Sequence, residues 1–276
     1  MQKKSREKRA ILCVCCVHMS RVLAILSLGL GLMIFSSCTP PQPAANPTPP
    51  SREVYRLAAK RLTAIVVSAE KDVDRWVGSR FTQGDAPPDA DGGSAIPITA
   101  DGYFLTADHV LASSGDRNVF IIYGRSGRLG ATKARIVWRS AASDLAVLHA
   151  PIPTPDHYRW TPPTAWVPSS APVMHAGIAT GFKSPSGKLI TGIPPETPFS
   201  GSRRFKHDIP LEPGDSGGPV VDARGLLVGV NSAVEFLVPL ETAFFIESEA
   251  NRPNVGKLMA TIARDRKETA ANRVSP

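Results

Sequence analysis

Between residues 62 and 240 the chain breaks into short runs of β-branched, aromatic and aliphatic residues, punctuated by glycine, proline, asparagine and aspartate. Such runs, closed at both ends by turn residues, predict strands. "AIVVSA", "AIPIT", "YFLT", "NVFIIY", "ARIVWR" and "LAVLHA" make one cluster, over about 62–150. "VMHAGIA", "KLITGI", "RFKHDI", "GPVVD", "GLLVGVNSA" and "FLVPL" make a second, over about 165–240. A proline-dense connector, Pro151 to Pro172, lies between them. Asp101-Gly102 predicts the turn of a hairpin between "AIPIT" and "YFLT". "GRSGRLG" predicts another between "NVFIIY" and "ARIVWR". Many short strands with no βαβ alternation point to an all-β fold of barrels or a sandwich. Helical spacing is confined to "SREVYRLAAKR" (51–61) and to the polar stretch after residue 241, which predicts a helical tail over 246–276.

The first fifty residues read as targeting rather than fold. Basic side chains precede an apolar run, Val22 to Phe35, which ends in "FSSC". Fourteen residues fall short of the roughly 20 that span a bilayer. The stretch resembles a bacterial lipoprotein signal, with residues 1–38 removed and Cys38 lipidated; an uncleaved short anchor is the alternative. "MSRVLAILSLGLGLMIFSSC" is a complete signal by itself, so translation from Met19 is equally compatible. "TPPQPAANPTPP" (39–50) is half proline and favours an extended polyproline II linker. A disordered tether fits the same composition.

The formal net charge of +8 suggests nucleic acid until it is divided along the chain. Residues 1–38 hold +5 of it, and the remainder, at +3, is an ordinary soluble surface with no nucleic-acid signal. All four cysteines (Cys13, Cys15, Cys16, Cys38) lie in the leader, so the folded part relies on its core rather than on disulfides. The leader triplet lacks the spacing of a zinc site, and no metal or cofactor is expected.

"PGDSGGPV" (213–220) places Ser216 in a glycine-rich turn. The Gly-x-Ser-x-Gly spacing matches the nucleophile elbow of α/β-hydrolases, which need a histidine after the serine. None of the six histidines follows Ser216, so that arrangement fails on chain order. The order that remains is His109 in "TADHV", Asp144 in "SDLAVL", then Ser216. A serine hydroxyl needs a base, imidazole serves near neutral pH, and a carboxylate must orient the imidazole. Histidine and aspartate on the first cluster and serine on the second would put the site in the cleft between them. The amides of Gly214 and Ser216 are then candidates for stabilising a developing oxyanion.

Together, "TADHV", "SDLAVL" and "GDSGGPV" resemble the three signatures of trypsin-like serine proteases. "GSAIPITADGYFLTADHVL" and "PGDSGGPVVDARGLLVGVNSA" are closer still to bacterial HtrA-type protease domains. The resemblance covers about residues 60–245, and the protease domain it implies is taken as 51–245. It implies two six-stranded antiparallel β-barrels, a His109–Asp144–Ser216 triad, a Gly214/Ser216 oxyanion hole, and endopeptidase action on exported proteins. Ser232 falls where a hydroxyl often supports the aspartate. Pro210, Ser232, Ala233 and Val234 fall at the primary specificity pocket, where Pro210 offers no charge and Val234 narrows the wall. Cleavage after small or medium apolar residues follows; Asp208 and Glu212 keep a basic preference open. The 36 residues after Leu240 are too few for a PDZ domain, so a protease domain alone is expected. A lipid-anchored binding module that kept the fold but not turnover is the second reading, and esterase action on small acyl substrates a third. His149, His157, His175 and His207 are expected to be structural. Asp108 is expected to face solvent, and Asp215 to make a salt bridge or turn contact.

Overall fold

The computed structural model describes residues 48–71, 89–125, 128–180, 185–236 and 246–274. Cys38, the leader and nearly all of the proline linker lie outside them.

Strands β1 (Ala64–Ser68), β2 (Asp91–Ser94), β3 (Ile96–Pro97), β4 (Tyr103–Thr106), β5 (Asn118–Arg125), β6 (Arg128–Ser140) and β7 (Leu145–His149) form one antiparallel sheet, in the order β2-β1-β5-β6-β7-β4-β3. Its two edges belong to one run of chain. β2 and β3 are separated only by Ala95, whose amide bonds Thr63 O at 2.9 Å. The seven pieces are therefore six strands, and the sheet closes on itself, which removes its edges. β6 serves two partners, β5 with its first half and β7 with its second. A register shift between Ile136 and Trp138 marks the bulge beside the β7 pairing. Alternating residues of these strands, among them Ile65, Val67, Phe104, Val119, Ile121 and Leu148, fill the barrel. The predicted hairpin holds: Ile96 pairs with Leu105, and Gly102 has φ +86°. A Cβ there would lie 2.0 Å from Ala150 O, so only glycine fits.

The second sheet runs β10 (Arg203–His207), β13 (Ile246–Arg252), β12 (Leu227–Phe236), β11 (Pro219–Asp222), β8 (Pro172–His175), β9 (Ser186–Lys188). A bridge between Leu189 and His207 joins its edges and closes the second barrel around Val173, Leu189, Phe205, Val220 and Val228. Here the expected tail is corrected. Residues 246–252 are not helical but form β13, held between β10 and β12. The core face of that strand carries Ser248 and Ala250, too small to print an apolar alternation. Its outer face carries Glu247 and Glu249, paired with Lys206 and Arg204. Small and acidic residues look helical until the cross-strand partners are known.

A third cluster lies between the barrels, with Ile96, Leu105, Leu145 and Val147 on one side and Met174, Ala176, Val221 and Val230 on the other. Two helices seal it. α1 (Arg52–Lys60) is N-capped by Ser51 and contributes Val54 and Ala58. α2 (Val255–Val274) contributes Leu258 and Ile262. Asp265 of α2 then accepts from Tyr103 Oη at 2.7 Å and pairs with Arg135, while Arg266 pairs with Asp101. The last helix thus grips barrel one. Among the described residues no helix is long and apolar enough to cross a membrane.

Candidate active site

Chain leaving β4 makes a 3-10 turn, Asp108–Leu111, with Val110 and Leu111 plugged into barrel one and His109 on the outer side. Asp108 does not face solvent as expected. It is buried, and its carboxylate meets Arg139 Nε at 2.7 Å while its carbonyl takes a second guanidinium hydrogen. Arg139 lies near the end of β6, and barrel closure brings it here. The pair pins the turn that carries His109.

Asp144 ends a second 3-10 turn with a left-handed backbone, φ +46°, just before β7. Its carboxylate takes the His109 backbone amide at 2.9 Å and lies 2.9 and 3.1 Å from His109 Nδ1. Ser232 Oγ donates to the same carboxylate. Burial alone would raise the Asp144 pKa, but these three donors outweigh it and carry it down to about 2. The same contact raises the His109 pKa, against the opposing effect of desolvation. An Nδ1–H facing the carboxylate leaves Nε2 bare, the form a general base requires.

Ser232 reaches Asp144 because β12 is irregular there. Asn231 pairs with Ala250 and Ala233 with Glu249, which leaves Ser232 as the extra residue. A bulge of this kind re-aims a side chain. The carbonyl of Ser232 accepts from Ser216 Oγ at 3.0 Å. One residue of barrel two therefore touches both the aspartate and the serine. The structure brings His109 and Asp144 into direct contact and joins Ser216 to them through Ser232. Among the described residues Ser216 Oγ makes no hydrogen bond to His109.

The nucleophile turn is held from both barrels. Ser94 N donates to Ser216 O at 2.8 Å, and Ser94 Oγ donates to Gly214 O at 2.6 Å while accepting from Ile178 N. Gly217 N bonds Asn231 O and Gly218 N bonds Asp215 O. A Cβ on Gly217, at φ +83°, would lie 2.2 Å from Ser94 O. Against this, the amides of Gly214 and Ser216 have no acceptor among the described residues. Sequence reasoning missed Ser94. Its signal is the small-residue run Gly92-Gly93-Ser94, where a Cβ on Gly93 would meet Ser216 O at 2.9 Å.

Of the expected pocket residues, Ser232 is buried, while Ala233 and Pro210 are exposed. Val234 lies on β12 opposite Ser248, and Ser248 Oγ donates to Ile209 O at 2.6 Å. Ser248 thus ties the Pro210 segment to β13, beside Val234. Asp208 caps β9 by accepting from Lys188 N at 2.6 Å. Two of the remaining histidines are half-buried: His149 packs on Tyr103 at 4.6 Å between ring centres, and His157 Nδ1 lies 3.2 Å from Thr154 O. His175 and His207 are fully buried.

Two closed antiparallel barrels, a His–Asp pair on one and a glycine-flanked serine on the other, define the class of two-barrel serine hydrolase folds. More narrowly, the chain belongs to the family of the trypsin-like peptidase domain, which matches residues 93–230, half of the sequence. It is 27% identical over 188 residues to "Probable periplasmic serine endoprotease DegP-like" of Pseudomonas fluorescens, covering 62% of this chain and 37% of the relative. A DegP-like relative of the same description from Halomonas elongata is 25% identical, covering 69% of this chain and 44% of its own. The chain thus spans less than half the length of these relatives. Among solved structures, the inactive form of Rv3671c from M. tuberculosis H37Rv superposes with a TM-score of 0.50 at 19% identity, over 80% of this chain and 96% of that one. That likeness concerns the fold.

Proposed function

We propose that this chain is a serine endopeptidase of the bacterial cell envelope, cleaving exported proteins through an acyl-enzyme on Ser216. The observation that carries the reading is the His109–Asp144 pair linked to Ser216 through Ser232, beside two unclaimed amides. Asp144 holds Nδ1–H, so Nε2 takes the proton as Ser216 Oγ attacks the scissile carbonyl. The oxyanion accepts from Gly214 N and Ser216 N; losing one such donor costs about 10²–10³ in rate. His109 then protonates the leaving amine, and water repeats the sequence to free the acid. For the attack, the Ser216 hydroxyl has to give up the Ser232 carbonyl for the imidazole. The periplasmic naming of the DegP-like relatives supports the location, and lipidation at Cys38 would hold the domain at a membrane.

His109 acts as a base only when neutral, and its pKa is raised by Asp144. Hydrolysis is expected to fall as pH drops through a midpoint above the ordinary value of about 6.5. A kcat/KM–pH profile checks this; an acid limb centred below that value contradicts it. The pocket assigned to Pro210, Ser232, Ala233 and Val234 takes small or medium apolar side chains. Preference for Arg or Lys in a peptide library would overturn it.

One observation favours a second reading, a catalytically silent protein-binding module: the Ser216 hydroxyl is bonded to Ser232 rather than to His109. A fluorophosphonate separates the two. Labelling of Ser216 that disappears in His109→Ala supports the peptidase, and no labelling at any pH supports the binder.

A further inference from the structure

Beneath the nucleophile turn runs a row of polar side chains that the mechanism above leaves unused. Asp215, His175, Asn231 and His207 are each completely buried, and they touch in that order. His175 Nε2 lies 3.2 Å from Asp215 Oδ2 and 2.6 Å from Thr180 Oγ1. His175 Nδ1 lies 2.8 Å from Asn231 Nδ2, and Asn231 Oδ1 lies 3.0 Å from His207 Nε2. At the far end the Ile209 amide donates to His207 Nδ1 at 3.3 Å.

That last amide fixes the polarity of the row. A backbone N–H can only donate, so His207 Nδ1 is bare and a neutral ring carries its hydrogen on Nε2. Nε2–H needs an acceptor, which sets the Asn231 amide with Oδ1 toward His207 and Nδ2 toward His175. His175 Nδ1 must then accept, and its hydrogen too sits on Nε2, facing Asp215 and Thr180. The opposite setting of Asn231 leaves two donors opposed at His207. Every hydrogen points one way, toward the Asp215 carboxylate. Burial lowers the His207 pKa to about 4, in keeping with a neutral ring.

Asp215 in turn shapes the turn above it. Its carboxylate also accepts from Glu212 N at 3.0 Å and from Thr180 N at 3.1 Å. Its own amide bonds Glu212 O, and its carbonyl takes Gly218 N. It therefore stands between the two amides, of Gly214 and Ser216, that are left open. Gly177 packs so closely that a Cβ would lie 2.2 Å from Asp215 Oδ1. Asn231 grips the same turn through its backbone, at Gly217 and Gly218.

We propose that His175 is a positioning residue for the peptidase reaction: as a neutral Nε2–H imidazole oriented by Asn231 and His207, it locks Asp215 and so aims the Gly214 and Ser216 amides. This rests on the peptidase reading. Misaiming those donors acts on the transition state, and a misplacement of about 1 Å can cost on the order of 10² in rate.

His175→Phe keeps the ring and removes both nitrogens. It is expected to lower kcat on a peptide ester about 10²-fold with KM unchanged. His175→Gln offers an N–H to Asp215 and a carbonyl to Asn231 in the same polarity, and is expected to recover most of that loss. Activity of the Phe variant within about twofold of wild type, or a loss confined to KM, overturns the proposal. Should the Phe variant not fold, ¹⁵N–¹H spectra of the imidazoles in the Ser216→Ala chain decide. Both buried rings are expected as Nε2–H tautomers, and an Nδ1–H on either refutes the assignment. Failure of the peptidase reading shows separately, as wild-type chain that never labels with a fluorophosphonate, while the tautomers are read without labelling.

Discussion

Alanine at position 216 is expected to lower peptide hydrolysis about 10⁶-fold while leaving the protein folded; in a comparable triad the serine alone is worth that much. The substitution removes one half-buried hydroxyl and its hydrogen bond to the Ser232 carbonyl. A bond of this kind contributes about 0.5–1.5 kcal/mol, so the unfolding midpoint should move little. The Asp144 contacts to His109 and Ser232 do not involve the hydroxyl and should persist. What remains is catalysis by the open amides and by substrate binding, still about 10³–10⁴ over water. His109→Ala should cost about as much, and the double variant little more, because the two groups act as a unit. Steady-state hydrolysis of a peptide ester, with circular dichroism as the folding control, makes the measurement. A loss below about 10² for Ser216→Ala would mean that Ser216 is not the nucleophile.

Glu196→Ala is expected to produce the largest loss of stability, about 3–5 kcal/mol, the usual cost of breaking a buried ion pair from one side. Glu196 Oε1 accepts from Arg252 Nε at 3.0 Å, with both side chains under a tenth exposed. Its other oxygen takes the Val255 amide at the start of α2. Desolvation already lowers the Arg252 pKa, with Glu196 opposing. Without the carboxylate the guanidinium keeps Thr161 and Val228 O as acceptors but has no counter-charge. Glu196→Gln retains an acceptor and should lose less. Equilibrium unfolding in urea reads both. A loss under about 1 kcal/mol, the range of exposed pairs, would mean that water reaches the charge.

The three candidate groups, His109, Asp144 and Ser216, could be singled out because each lies in a short contiguous stretch that fixes its own backbone. Gly214 and Gly217 carry the positive φ values of the serine turn, and apolar Val110 and Leu111 seat the turn of His109. Strand clusters were legible through their alternation, and the domain seam through the prolines. What escaped depends on partners far along the chain. Ser94 matters only because closure of barrel one sets it against Gly214, 120 residues later. Arg139 buries Asp108 only once β6 has turned its corner. β13 hid because its inward residues are small and its outward charges have meaning only against β10. The buried histidines were read as structural, which describes their burial but not their common polarity. That polarity comes from one backbone amide.

The place of β13 has a consequence for the order in which the emerging polypeptide can close. That strand lies between β10 and β12, so the second barrel stays open until residue 252 has been synthesised. Leu258 and Ile262 then arrive later still to seal the seam between the barrels. A chain that has already released His109, Asp144 and Ser216 therefore carries the three candidate groups but not the closed second barrel that holds Ser216 against Ser232. The order in which the polypeptide emerges therefore leaves the proposed site unassembled until the chain has passed Ile262.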